Sequence, residues 1–439
     1  MKIKKTYNEL LLEVETLKVK NKKLEKRKKF GLVWENKPEK FDKEKTDSLP
    51  VLKEKGGKFK DIVSNKEEDF NILIEGDNYH SLSVLNYTHR GKIDVIYIDP
   101  PYNTGNKDFT YNDRFVDKED GFRQSKWLSF MEKRLRLAKD LLSKKGVIFI
   151  SIDENEMAQL KLLCDEVFGL DNLSANFVWK TRQASGKQIS VSNVSIEHEY
   201  ILAYTKNKKT SFLGVPRDRN QYKNPDNDLR GIWAKHPLDV GSTKEERPNC
   251  FYTITDPKTG NEYEANSNRV WAFSKESMSR LISEDKIIFN PTGKTRPYLK
   301  KFWNELKTEF KPISSWVRVS EVGYNTEGTK ILNDIFCGKK VFDYPKPLSL
   351  IKRFINQISK DNSLILDFMA GSGTTGQTVL ELNKEDGGNR KFILCTNNEN
   401  KICEDITYQR IKKVVNGYKK PNDEKVEALG GNLKYLKTD

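Results

Sequence analysis

Short apolar runs alternate with amphipathic stretches over residues 71–205 and again from residue 345. Runs of strand length stand at 71–74, 93–98 (IDVIYI), 146–152 (GVIFISI), 176–180 and 200–204. Between them, 81–87, 127–144 and 157–168 repeat apolar positions at helical spacing, with Leu128, Met131, Leu135, Ala138 and Leu142 on one face. The rhythm resumes with a helix over 348–358, a strand over 364–368, a helix over 375–382, a strand over 392–395 and a helix over 402–415. Buried strands alternating with helices predict an α/β sheet covered on both faces.

Three segments fall outside that rhythm. Residues 1–29 read as one polar helix whose apolar positions Ile3, Tyr7, Leu10, Val14, Leu17, Asn21 and Leu24 step by four and three. Leu at d, a β-branched residue at a and a lone Asn at a fit a short parallel two-stranded coil, hence a homodimer. A single helix packed on its own body reads the same pattern differently. Residues 30–70, with Pro38, Pro50, Gly56 and Gly57 among many charges, predict an extended connector. Residues 206–325 are rich in Asn, Thr, Pro and Trp and patterned as short strands and turns, with TDPKTGNEY as a hairpin tip. The chain thus divides into a helix (1–29), a connector (30–70), one part of an α/β domain (71–205), an insertion (206–325) and the second part of that domain (326–439).

Charge sharpens this division. Of a net +15, residues 1–29 carry +7 and residues 206–320 carry +8, so the rest is neutral. Two basic attachments on a neutral body suit a polyanion bound away from the α/β core. Solvated lysine decoration would give the same count. No apolar run approaches the roughly 18 residues of a spanning helix, and the N-terminus has no secretory h-region. The five cysteines are dispersed without a CxxC pair, which suits a reducing cytoplasm, and the four histidines have no cysteine at zinc spacing. No metal is expected.

Three constellations carry chemistry. Asp99-Pro100-Pro101-Tyr102 directly follows the strand IDVIYI. The two prolines stiffen the loop and remove two N–H donors, leaving carbonyls and a carboxylate as acceptors. A carboxylate, a rigid carbonyl and a flat aromatic suit a planar substrate bearing an NH2 group; a plain strand-ending turn is the alternative. The run Asp367-Phe368-Met369-Ala370-Gly371-Ser372-Gly373-Thr374-Thr375 lies between a strand and a helix, where glycines allow a ligand close to the backbone. Glu399, 28 residues beyond Gly371, stands near the end of the next strand, as a ribose-binding acid or as a surface glutamate. Glu75-Gly76-Asp77-Asn78 ends a strand ahead of a short helix; Asp77 reads as an N-cap or as part of the same site. No GxxxxGK[ST] is present, which disfavours a P-loop ATPase.

These motifs, in the order GDN, DPPY, insertion, GSGTT, resemble the beta group of S-adenosylmethionine-dependent DNA amino-methyltransferases. The chain is most similar to the methylation (Mod) subunits of type III restriction–modification systems. The resemblance covers about residues 30–439 through IDVIYIDPPYNTGNKDFTYND, SKWLSFMEKRLRLAKDLL, GVIFISIDENE, HEYILAYTKN, FDYPKPLSLIKR, LDFMAGSGTTGQTVLELN and EDGGNRKFIL. It implies a Rossmann-like methyltransferase fold with a permuted, mixed seven-stranded sheet, and adenine N6 methylation of double-stranded DNA. Asp99, Pro100, Pro101 and Tyr102 would bind a flipped adenine. Asp367, Met369, Gly371, Ser372, Gly373 and Thr374 would wrap the methionine part of S-adenosylmethionine, with Lys346 beside its carboxylate, Asp77 on its adenine and Glu399 on its ribose. Phe109 and Tyr111 are candidate second stacking faces, or core. The insertion would recognise the target sequence. Met369 stands where such loops usually carry Phe. Mod subunits continue past the stretch matched by GGNLKYLKTD, so association with a restriction subunit stays open and methylation without restriction is the expectation. A fixed carboxylate and carbonyl also suit cytosine N4, and a non-catalytic DNA-binding regulator is a further reading.

Overall fold

The computed structural model describes residues 11–12, 14–19, 33–39, 50–57, 59–65, 69–106, 108–111, 114–183, 194–290, 292 and 295–439. Most of the expected N-terminal helix, and with it most of the expected coiled-coil seam, lies outside them; residues 11–12 and 14–19 are helical. Two compact units emerge: residues 1–213 with 314–439, and residues 214–313.

The larger unit is built on one sheet of ten strands: β1 (Leu52–Glu54), β2 (Phe70–Glu75), β3 (Ile93–Ile98), β4 (Leu142–Ile152), β5 (Leu173–Lys180), β6 (His198–Thr205), β7 (Trp316–Val317), β8 (Leu364–Asp367), β9 (Lys391–Thr396) and β10 (Asn432–Thr438). Their spatial order is β1-β10-β2-β9-β8-β3-β4-β6-β5-β7. The six strands from β10 to β4 run parallel; β6 is antiparallel to both β4 and β5, and β1 to β10. The seven expected strands form the middle of this sheet. The other three are edge additions. β1 and the buried Phe59 and Ile62 come from the expected connector, so that segment is partly docked on the body. β10 turns Leu433 and Tyr435 inward, with the partly buried Lys434 between them. β7 lies within 206–325 yet pairs with β5, because Val317 is an apolar residue that completes the sheet edge.

Helices cover both faces, as the burial of five of the six β3 residues requires. On one side α1 (Asn78–Thr88), α2 (Arg123–Leu141) and α3 (Met157–Phe168) pack in series. The face of α2 bearing Leu128, Met131, Leu135 and Ala138 is fully buried in one cluster with Ile96, Ile98, Ile148 and Ile150. Each such side chain contributes about 1.5–3 kcal/mol. Phe149, pointing the other way, stacks 5.0 Å from Phe354 of α5 (Leu348–Ile355). That side also holds α4 (Asn325–Ile335), α6 (Thr374–Asp386) and α7 (Tyr408–Asn416), the last preceded by a π turn over Ile402–Thr407.

From β3 the chain moves to β4 on one side, and from β8 to β9 on the other. The crevice between the carboxyl ends of β3 and β8 is therefore the topological switch point, where open α/β sheets bind ligands.

The unit 214–313 has its own core of Leu238, Ile254, Tyr263, Trp271, Met278 and Ile287. It contains a three-stranded sheet of Trp233–Pro237, Tyr298–Phe302 and Ile287–Ile288, and the hairpin Thr253–Thr255/Glu262–Glu264 that TDPKTGNEY predicts. Its buried Lys300 is ringed by Asp226, Asp228 and Asp285. The unit holds 18 basic and 14 acidic residues, net +4; the rest of the +8 belongs to flanking residues.

Candidate active site

Asp99 leaves the end of β3 at the switch point, and its two carboxylate oxygens are unequal. Oδ2 lies 3.1 Å from Lys346 Nζ; Oδ1 is shut off from solvent and has no hydrogen-bond partner, although 31% of the side chain is open. Burial raises the Asp99 pKa above the ordinary carboxylate value, Lys346 opposes that rise and Glu199 adds to it. The Pro-Pro loop is fixed from behind by Trp127 Nε1, which donates to the Pro101 carbonyl at 2.7 Å. Tyr102 OH donates to Glu199 Oε2 (2.8 Å) and accepts from Lys346 Nζ (2.8 Å), whose ammonium also sits 4.9 Å from the Tyr102 ring centre. Glu199 further meets Lys346 at 3.3 Å and accepts from Asn325 Nδ2 at 3.3 Å. The result is a buried lysine shared by two acids, with its charged form strongly favoured by Asp99 and Glu199 despite burial.

One residue past Tyr102, Asn103 takes a left-handed φ of 56° and is fully buried. Its Nδ2 donates to Glu156 Oε1 at 2.6 Å, while Asn103 Oδ1 and Glu156 Oε2 are buried without partners. Burial pushes the Glu156 carboxyl up to about 7.

Across the crevice, Asp367 ends β8. It accepts from the Met369 N–H at 3.0 Å and from Thr375 Oγ1 at 2.6 Å, and burial pushes its carboxyl up to about 7. Met369 packs against the apolar core. Gly373, at φ 79°, is the N-cap of α6; a Cβ there would be strained, and no side chain caps the helix. Thr407 Oγ1 donates to the Gly371 carbonyl at 2.5 Å. Ser372 and Thr374 turn inward to Arg410, whose Nη1 donates to Ser372 Oγ (3.0 Å) and Thr374 Oγ1 (2.8 Å).

Asp77 caps α1 by accepting from the Tyr79 N–H at 2.7 Å, and it meets the buried Arg134 at 3.3 Å, with half its side chain still open. Gly76 is obligatory beside it, since a Cβ would fall 1.9 Å from Thr438 Oγ1 of β10. Glu75 is taken up by Lys55 and Tyr435. Glu399 is exposed, three residues beyond β9. Lys346, which the resemblance places beside a cofactor carboxylate, contacts Asp99, Glu199 and Tyr102, because the segment before α5 delivers it to the end of β3. Phe109 is core, edge-on to Phe130 at 5.2 Å; the Tyr111 side chain lies outside the described residues. Sequence reading missed Glu199, Asn325, Glu156 and Arg410. Glu199 sits in HEYILAYTKN, where its alternation on an otherwise apolar strand was the available signal.

The donors and acceptors around the crevice match the charged groups of S-adenosylmethionine. A half-buried carboxylate (Asp99) and a buried one (Asp367) end neighbouring strands at the crevice, the helix after the glycine loop has no side-chain cap, and a buried guanidinium lies against that loop. Acids for a sulfonium and an ammonium, with positive potential for a carboxylate, fit that zwitterion. Among the described residues, no group of three or more His, Cys, Asp or Glu side chains is placed to hold a metal ion, and no helix is long and apolar enough to cross a membrane.

The model of the DNA methylase family matches residues 93–409, from β3 into α7. The type III restriction-modification enzyme StyLTI Mod subunit of Salmonella typhimurium is 35% identical over 384 residues, 80% of this chain and 57% of that subunit. The type II methyltransferase M.KpnI of Klebsiella pneumoniae is 34% identical over 382 residues, 81% of this chain and 85% of that enzyme. Among solved structures, the cytosine-N4-specific PvuII DNA methyltransferase aligns at a TM-score of 0.38 and 13% identity, covering 79% of this chain and 92% of that one. The chain spans under three-fifths of the StyLTI subunit's length. With a family match that takes in the DPPY loop, the glycine loop and the switch point between them, the chain belongs to the DNA methylase family and has its Rossmann-like α/β methyltransferase fold.

Proposed function

We propose that this chain is a site-specific DNA adenine N6-methyltransferase of the type III restriction–modification kind. The observation that carries this reading is Asp99: one oxygen anchored by Lys346, the other buried and unpartnered at the switch point. An exocyclic amine is a poor nucleophile because its lone pair is conjugated with the ring. Asp99 Oδ1 and the Pro100 carbonyl accept its two hydrogens and localise that lone pair toward the glycine loop. The raised proton affinity of Asp99 suits it to take the proton that the amine sheds after alkylation. Tyr102, held by Glu199 and Lys346, offers its ring to the base, at about 1–3 kcal/mol per stacked base against the few kcal/mol of unstacking. Loop residues 369–374 with Asp367 hold the methionine part of S-adenosylmethionine; Asp77 and Glu399 reach its adenine and ribose. When bound, that cofactor supplies an electrophilic methyl group. In-line placement supplies about 7–11 kcal/mol of the barrier reduction. The unit 214–313 reads the target sequence.

The Mod names of several relatives at 31–35% identity support adenine. The test is transfer of labelled methyl to DNA followed by nucleoside analysis. N6-methyladenine is expected, N4-methylcytosine would replace the adenine reading, and Asp99→Ala should lose at least about 10²-fold in transfer. Dimerisation through residues 1–29 belongs to the same reading. Light scattering should give a larger mass per particle for the full chain than for a chain starting at Phe30, beyond the loss of the segment itself.

A further inference from the structure

Arg410 is a buried cation that the assigned roles leave unexplained. It lies on α7, is fully shielded from solvent, and makes no salt bridge with any described carboxylate. All of its hydrogen bonds go to neutral groups: Nε to Gln377 Oε1 (2.8 Å), and Nη1 to the Ser372 carbonyl (3.3 Å), Ser372 Oγ (3.0 Å) and Thr374 Oγ1 (2.8 Å). Its Nη2 is buried with no partner. The nearest acid acts at one remove: Gln377 Nε2 donates to Glu381 Oε1 at 3.0 Å. Burial lowers the guanidinium pKa only to about 10, so the charge persists at neutral pH.

An uncompensated buried charge costs several kcal/mol, and a fold that keeps one needs a return for it. Here the charge sits against the loop 372–374 and beside the first turn of α6, a 13-residue helix whose N-terminus has no side-chain cap. Guanidinium and helix dipole add with the same sign at one place. We propose that Arg410 is the positioning residue that makes this loop select the carboxylate end of the cofactor: it holds Ser372 and Thr374 inward, so that loop N–H groups face the ligand, and supplies the positive potential an α-carboxylate needs. This rests on the S-adenosylmethionine reading above.

The test compares binding of S-adenosylmethionine with that of its decarboxylated analogue, by calorimetry on the full chain. Wild type should prefer S-adenosylmethionine by at least about tenfold, a Coulombic difference of the size a screened charge gives within several ångströms. Arg410→Gln should abolish most of that preference while weakening the analogue by less than about threefold, and Arg410→Lys should retain part of it. Should Arg410→Gln fail to fold, the half-buried Glu381 offers the opposite sign. Glu381→Gln removes partial compensation and should raise the preference by about two- to fivefold. Equal weakening of both ligands in Arg410→Gln, or an unchanged preference in Glu381→Gln, would overturn the proposal. Binding of neither ligand by wild type would instead overturn the cofactor reading, and this inference with it.

Discussion

Lys346 Nζ stands 3.1 Å from Asp99 Oδ2 and 2.8 Å from Tyr102 OH, so one ammonium ties together the acid and the aromatic of the DPPY loop. Glu199, the lysine's other acidic partner, raises the proton affinity of Asp99, and the lysine opposes that rise.

Replacing Lys346 with Met should therefore shift the acid limb of the methyl-transfer profile. Asp99 already titrates above an ordinary carboxylate, and Lys346 is the cation holding it down. Without it, Asp99 stays protonated to higher pH, cannot accept the amine hydrogens, and activity falls at neutral pH but recovers as pH rises. A profile of kcat against pH that keeps its acid limb would separate Lys346 from Asp99.

Tyr102→Phe and Tyr102→Ala should part company. Phe keeps the ring and loses only the hydroxyl that donates to Glu199, so its effect should be below about tenfold. Ala removes the stacking face, and about 1–3 kcal/mol of base binding corresponds to roughly 5–150-fold in KM for DNA. Equal effects from both would place the contribution in the hydroxyl network instead.

Glu156→Gln should flatten the pH dependence of stability. Because burial raises the Glu156 carboxyl to about 7, its contribution is complete below the ordinary value of 4.5 and is lost as pH rises through 7. Wild-type stability should therefore fall with a slope of up to about 1.4 kcal/mol per pH unit from this group between pH 4.5 and about 7, and level off above that, with Tm following. Gln can still accept from Asn103 Nδ2, and the variant should be the more stable protein at pH 8. Thermal melts across that range decide it.

Neutralising several exposed Lys and Arg residues within 214–313 should reduce the salt slope of DNA binding by nearly one per phosphate contact removed. The modest net +4 of this unit makes the prediction sharp, since non-specific charge alone would move the slope little. An unchanged slope would assign the main phosphate contacts elsewhere.

Period and punctuation alone determined the middle of the sheet. Seven strands and their helices follow from apolar runs such as IDVIYI and GVIFISI, because strands buried on both faces must be apolar throughout. The same local logic located DPPY and GSGTT at strand ends. What the chain could not declare locally is which ends meet. Asp99 and Asp367 are 268 positions apart, and only the pairing of Ile365 with Val95 and of Leu366 with Ile96 brings β3 and β8 side by side. Glu199 looks like an ordinary charge until the sheet sets it on Tyr102. Arg410, on an amphipathic helix that also carries Lys412 and Lys413, reads as surface in the sequence; packing of α7 under the glycine loop is what removed it from water. Long-range placement decides burial, and burial decides which charges become chemistry.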